Sequence, residues 1–276
     1  MAEARPIKLP RGVMALIRLL ITRLNQLFGN ILKLFFLLHF YFYPKARFII
    51  PKYSPAIIGT RKSRKIPRVV WQTNYTREVA FAVYFNYHWN RVWSPTHEYY
   101  FLLDEDVDQF VRDFFTGPVA DAYFKLQIGA ARADMWRILT LLQKGGVYMD
   151  IDSALVYPLE WSIHESDESL FVRERSEQVT NYFIASTPHH PVLEKTIDRI
   201  RENIEENTIR SVFDMTGPTP LGQAVEGLEA PTRPLTTICR QGVFVKKQFQ
   251  YPKAEKLHWL DEQKIKAIVQ TKDNGN

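Results

Sequence analysis

The sequence predicts an α/β protein, a sheet covered by helices, and three observations carry that expectation. Short β-branched or aromatic runs alternate with longer stretches of helical period in the order β-α-β-α-α-β. The longest helical stretch stops at Gly145-Gly146 and delivers the chain directly into an apolar run. The length of 276 residues, with 46% hydrophobic residues, 12 Gly and 16 Pro, supports a full core and excludes collagen-like and low-complexity classes.

The first element is a densely apolar stretch, residues 13–43, interrupted by Arg18, Arg23 and Lys33. Its longest strongly apolar run, residues 34–43, falls short of the roughly 20 residues that span a bilayer. At about 100° per residue, Arg18, Thr22, Asn25, Gln26, Gly29 and Lys33 share one face, flanked by Arg23 and Asn30. Leu and Phe cover the remainder. This is the pattern of an amphipathic helix lying in a membrane interface. Packing on the body or on another subunit, and a tilted spanning anchor, are the alternatives. Aromatic residues 40–43 suit the headgroup level, and no small-residue cleavage site marks a signal peptide.

Charge divides the chain at the same place. Residues 1–65 hold 13 Lys and Arg against one acid, Glu3, a net +12, so the overall +6 leaves residues 66–276 at −6. Lys45, Arg47, Lys52, Arg61, Lys62, Arg64 and Lys65 can face an anionic leaflet. Nucleic acid is not the expected partner, because the basic residues alternate with a Leu/Phe face and not with exposed stacking aromatics. Residues 1–65 are therefore read as attachment segment and linker, with Pro44, Pro51, Pro55 and Gly59 in the linker, and residues 66–276 as the body.

In the body, residues 66–73 (IPRVVWQT) suit a buried first strand, 78–92 a helix, 98–103 a second strand, and 104–115 a helix with acids in its first turn. One long helix is expected over 124–144, then strands at 147–156, 169–173 and 182–185, and a helix from Pro191 to about Asn203. No GxGxxG or Walker-type loop is present. Cys239 is the one cysteine, so no internal disulfide forms, and no Cys/His cluster has zinc-site spacing.

The chemistry concentrates between residues 134 and 152. Asp150-Ile-Asp152 puts two carboxylates near a strand end, projecting from one side. Two like charges so close need a cation, and hard oxygens suit Mg²⁺ or Mn²⁺. Two solvated acids at a strand end give the same spacing. Asp134 and Arg137 share a face of the preceding helix, either as an ordinary intrahelical ion pair or as part of a polar site built into a core.

The string 131–152 (ARADMWRILTLLQKGGVYMDID) resembles the signature of the Asp-x-Asp sugar transferases. That family includes the fungal initiating α-1,6-mannosyltransferase, inositol-phosphoceramide mannosyltransferases and capsular polysaccharide transferases. IPRVVWQT (66–73), DEDVDQF (104–110), NYFIASTPHHPVLE (181–194), TGPTPLG (216–222) and His258-Trp259 extend the resemblance over about 200 residues. It implies the GT-A fold, a Rossmann-like mixed sheet flanked by helices. It also implies a nucleotide-diphosphosugar donor, with Asp152 as direct ligand of Mn²⁺ or Mg²⁺ and Asp150 on the metal or ribose. Asp134 and Arg137 would hold the sugar, Trp71 would stack on the base beside Gln72, Asn181 would touch sugar or acceptor, and His258 would supply a late metal or diphosphate contact. Leu260-Asp261 after Trp259 departs from the family's small-residue run. A core tryptophan and a turn-forming asparagine are the alternatives for Trp71 and Asn181.

The family is regarded as retaining, which requires no dedicated carboxylate base. With the membrane-facing arm, the expected acceptor is a glycolipid or lipid-linked glycan, at the cytoplasmic face of a bacterial membrane or alternatively in the Golgi. A protein-modifying transferase, a catalytically silent membrane-bound partner of another transferase and a metal-dependent phosphohydrolase are the rivals.

Overall fold

A computed structural model of the chain describes residues 11–60, 62–250 and 258–270. Seven strands form one mixed sheet: β1 (Tyr53–Ser54), β2 (Val69–Thr73), β3 (Glu98–Leu102), β4 (Gly146–Met149), β5 (Ser169–Arg173), β6 (Val179–Ser186) and β7 (Thr232–Pro234). Their order across the sheet is β7-β5-β6-β4-β2-β3-β1. β4, β2 and β3 run parallel, as do β7 and β5; β6 is antiparallel to both its neighbours, and β1 to β3. The α/β expectation holds.

Strand alternation splits the core into two layers. Val69, Trp71, Tyr148 and Ile184 face one layer, covered by α3 (Asp104–Phe114), α4 (Pro118–Lys125), α5 (Gly129–Lys144), α6 (Pro191–Glu206), α7 (Val212–Met215) and α8 (Pro218–Gly227). Val70, Val147, Met149 and Phe183 face the other, covered by α2 (Phe81–Trp93) and by part of α1 (Arg11–Phe42). His190, before Pro191, caps α6 through its side chain.

The structure departs from the sequence expectation in three places. The helix expected over 124–144 is broken: Leu126 and Ile128 are buried, Leu126 bridges to Val269, and the helix restarts at Gly129. The expected strand 147–156 is also broken, with β4 ending at Met149 and a separate ribbon forming between Ser153–Leu155 and Cys239–Gln241. The expected linker, residues 44–65, is built into the body. Phe48–Ile49 pairs with Glu78–Val79, and β1 extends the sheet edge. Some of its cations are consequently engaged internally: Lys52 with Asp106 at 2.6 Å, Lys65 with Glu168 at 2.5 Å, and buried Arg64 with His97 and Glu160.

Gly145 and Gly146 have φ of +65° and +103°. At Gly146 a Cβ would sit 2.5 Å from Val69 Cγ1 and 2.7 Å from Val69 O. Only glycine allows β2 and β4 to pair this closely at that φ. Gly146→Ala is expected to cost about 2 kcal/mol or more, read as a lowered urea midpoint.

His97 is fully buried, and burial, reinforced by Arg64, depresses its pKa to about 3; Glu160 opposes the shift and Arg68 adds to it. The fold therefore favours neutral imidazole, and the unfolded chain binds the extra proton below about 6.5. Stability attributable to this group falls as pH drops from about 6.5 towards 3, by up to roughly 1.4 kcal/mol per unit. Urea midpoints for the parent and His97→Gln between neutral pH and pH 4 check this, with the variant showing the flatter profile.

Gly29 of α1 lies so close to the body that a Cβ there would meet Val243 at 2.9 Å. Phe36 is fully buried between Phe81 and Phe85, and Phe40 packs edge-on to Phe249. The opposite face leaves Leu24, Leu27, Ile31, Leu34 and Leu38 at least half exposed. The helix thus turns Gly29 and Lys33 of its expected polar stripe inward together with Phe36 and Phe40, and leaves several leucines outward. Among the described residues no helix is long and apolar enough to cross a membrane.

Candidate active site

Asp150 and Asp152 flank a turn at the end of β4, at the edge of a cavity of about 830 Å³. Asp150 N still donates to Tyr182 O of β6, and the chain then turns, closed by Ser153 N donating to Asp150 O at 3.0 Å. The two acids therefore come together through a turn and not through strand period. Two buried asparagines on α2 hold the segment that follows. Asn86 Nδ2 donates to the carbonyls of Ile151 and Ser153; Asn90 donates to Ser153 O and accepts from Leu155 N. With their backbone partners fixed in this way, the carboxylates cannot relax apart by moving the chain.

Arg137 links the rest of the site. From the middle of α5 its guanidinium lies 2.9 Å from Asp134 Oδ1 and 3.3 Å from Asp150 Oδ1, donates to Asn181 O at 2.7 Å, and sits over the Tyr148 ring at 4.4 Å. Asp134 Oδ1 also accepts from Asn181 Nδ2 at 2.9 Å, and its Oδ2 accepts from Thr216. Tyr148 OH donates to Asp150 Oδ1 at 2.7 Å. Burial opposes the Arg137 charge, but Asp150, Tyr148 and Asp134 outweigh it and hold the guanidinium above its ordinary value. Burial pushes Asp134 up to about 6 against the pull of Arg137.

Burial and then the charge of Asp150 push Asp152 up to about 7. Gln241 Nε2 donates to Asp152 Oδ1 at 3.1 Å and reaches Asp150 Oδ2 at 3.5 Å, and the Gln250 side chain also hydrogen-bonds Asp152. Three carboxylates against one guanidinium leave the site short of positive charge at the Asp150–Asp152 end. Two hard-oxygen ligands at the rim of an open cavity fit Mg²⁺ or Mn²⁺, which complete their shell from water and a diphosphate. Among the described residues no group of three His, Cys, Asp or Glu could hold a metal. The three-ligand set with His258 is therefore not formed. His258 lines the same cavity, and its Nδ1 accepts from Leu260 N as the N-cap of α9 (Trp259–Ile265).

The fold brings together Asp134, Arg137, Asp150, Asp152, Asn181 and His258 around this cavity. It does not bring Trp71 and Gln72 there. Trp71 stacks on Tyr100, with ring centroids 4.8 Å apart, and donates to Gly145 O; Gln72 is buried and donates to Met149 O. The next residues of the strand and its turn, Thr73, Asn74 and Tyr75, line the cavity instead. Sequence reasoning missed Tyr148, Thr216, Gln241, Asn86 and Asn90. Tyr148 stands two residues before Asp150, a spacing that carried the signal; Gln241 is 89 residues from Asp152 and nothing local announced it.

Residues 82–170 match the family model of the glycosyltransferase sugar-binding region containing a DXD motif. The chain is 28% identical over 188 residues to the initiation-specific α-1,6-mannosyltransferase of Schizosaccharomyces pombe, covering 55% of this chain and 46% of that protein. It is 30% identical over 103 residues to the enzyme of the same name from Saccharomyces cerevisiae, covering 34% and 21%. Inositol phosphoceramide mannosyltransferase 2 of Schizosaccharomyces pombe is 29% identical over 166 residues, covering 56% and 44%. The chain thus spans less than half the length of these curated relatives. Among solved structures, PaToxG glycosyltransferase overlays with a TM-score of 0.49 at 14% identity, covering 78% of this chain and 80% of its own.

Proposed function

We propose that this chain, a glycosyltransferase by its DXD-containing sugar-binding region, moves a hexose from a nucleotide-diphosphosugar to a membrane-linked glycan or glycolipid, keeping the anomeric configuration. The observation that carries the reading is the ion-paired floor of the cavity, where Arg137 ties Asp134 to Asp150 beside Asp152. The mixed sheet, with the acid pair just beyond β4, is consistent with a GT-A arrangement.

In this reading Asp150 and Asp152 would hold Mn²⁺ or Mg²⁺. When bound, that ion neutralises the charge developing on the diphosphate leaving group. Arg137 fixes Asp150, while Asp134, held by Asn181 and Thr216, presents a carboxylate edge for sugar hydroxyls. As the anomeric carbon–phosphate oxygen bond breaks, the acceptor oxygen bonds to that carbon on the same face, and its proton passes to the departing phosphate oxygen. Catalysis then rests on positioning and preorganised charge.

The outward apolar face of α1 supports attachment to the membrane that holds the acceptor, with a bacterial cytoplasmic face preferred and a Golgi face as the alternative. The relatives' names put mannose first among donors to test. A panel of nucleotide sugars, with Mn²⁺, Mg²⁺ or chelator, is expected to give metal-dependent release of nucleoside diphosphate from one donor. Radioactive sugar is expected to follow into the lipid extract and not into protein. Release from no donor overturns the transferase reading; label in protein overturns the acceptor assignment.

A further inference from the structure

A second, smaller cleft of about 90 Å³ lies between α1 and the 240–244 segment, lined by Asn30, Lys33, Trp89, Arg240 and Gln241 among others. The cleft is large enough for a group the size of a phosphate. Lys33 enters it from the inward face of α1, half-buried, and the two charges that bear on it, Lys246 and Arg240, are both positive. None of the three forms an ion pair with a carboxylate among the described residues. Converging cations in a partly desolvated cleft repel one another unless an anion joins them. Burial and these neighbours accordingly hold Lys33 below the usual lysine value.

Two connections say where such an anion would come from. Gln241 lines both this cleft and the large cavity, and its amide is the one that reaches Asp150 and Asp152. The helix that supplies Lys33 inward exposes Leu27, Ile31, Leu34 and Leu38 outward. The cleft thus shares Gln241 with the large cavity and Lys33 with the helix whose exposed face is apolar.

We propose that the cleft formed by Lys33, Arg240 and Gln241 binds a phosphate group that links the acceptor's glycan to its lipid. The proposal rests on the reading of the acceptor as membrane-linked. The site sets the acceptor's position by gripping the phosphate while the sugar to be extended reaches past Gln241 towards Asp150 and Asp152.

The test is binding of the full chain to phosphatidylcholine vesicles with and without a polyprenyl phosphate, with no sugar donor present. Phosphatidylglycerol vesicles of matched charge and free inorganic phosphate are the controls. The parent is expected to prefer polyprenyl-phosphate vesicles over neutral ones by about tenfold, and over phosphatidylglycerol as well. Lys33→Met with Arg240→Gln should lose that preference, and Lys33→Arg should retain it, with melting curves confirming that each variant folds. Unchanged preference in the folded double variant overturns the site. Equal binding to phosphatidylglycerol reduces it to general surface attraction and overturns it too. Displacement by inorganic phosphate at the same phosphate concentration overturns the lipid source. Because no donor is used, failure of sugar transfer and failure of this site are read separately.

Discussion

Asp152→Ala is expected to lower sugar transfer by about a thousandfold or more while leaving the fold intact, since the metal proposed at the leaving group would be worth several kcal/mol of transition-state stabilisation. Its effect on stability has the opposite sign. Burial and Asp150 raise the Asp152 carboxyl to about 7, so the folded chain holds a proton that the unfolded chain has released. The associated stability is present below the ordinary carboxylate range near 4 and is lost as pH rises through about 7. Metal-free Asp152→Ala should therefore melt at or above the parent temperature at pH 8. The parent should gain thermal stability with Mn²⁺ and a nucleoside diphosphate, and the variant should not. Normal turnover by the variant with Mn²⁺ present would remove Asp152 from the metal site.

Arg137→Ala should affect both stability and activity. Removing the guanidinium leaves Asp134, only 8% exposed, with Asn181 and Thr216 alone, and removes one neighbour of Asp150. Breaking a buried pair in this way typically costs about 3–5 kcal/mol, read as a lower urea midpoint. Donor use should fall with it. Asp134→Asn separates the two effects. It keeps the side-chain volume and leaves Arg137 paired with Asp150, so the midpoint should move much less while kcat/KM for the donor still drops. Unchanged donor affinity and rate in folded Asp134→Asn and Arg137→Lys would count against a sugar-binding role for this pair.

Much of this site was legible locally. Asp134 and Arg137 share a helix face because residues three apart do so in any α-helix, and their ion pair at 2.9 Å follows. Gly145-Gly146 marked the helix stop and the entry into β4, where positive φ leaves no room for a side chain. Spacing could not supply the second half of each contact. Asn181 and Thr216 meet Asp134 from 47 and 82 residues away. Trp71 shows the limit on one strand: period 2 put it on a definite face, but only the packing of Tyr100 and the Gly145 carbonyl against it made that face core and not cavity wall.

The same division holds for the chain as a whole. The sequence by itself determined the α/β alternation, the Asp134–Arg137 helix face and the concentration of basic and apolar residues before residue 66. Each depends on spacing within one element, which backbone geometry fixes. Tertiary structure alone decided that the supposed linker closes the sheet edge, that α1 turns Gly29 and Lys33 inward and several leucines outward, and that Gln241 answers both acids. Those outcomes depend on which distant surfaces exclude water from one another, and hydrophobic periodicity indicates that a face is buried without naming its partner.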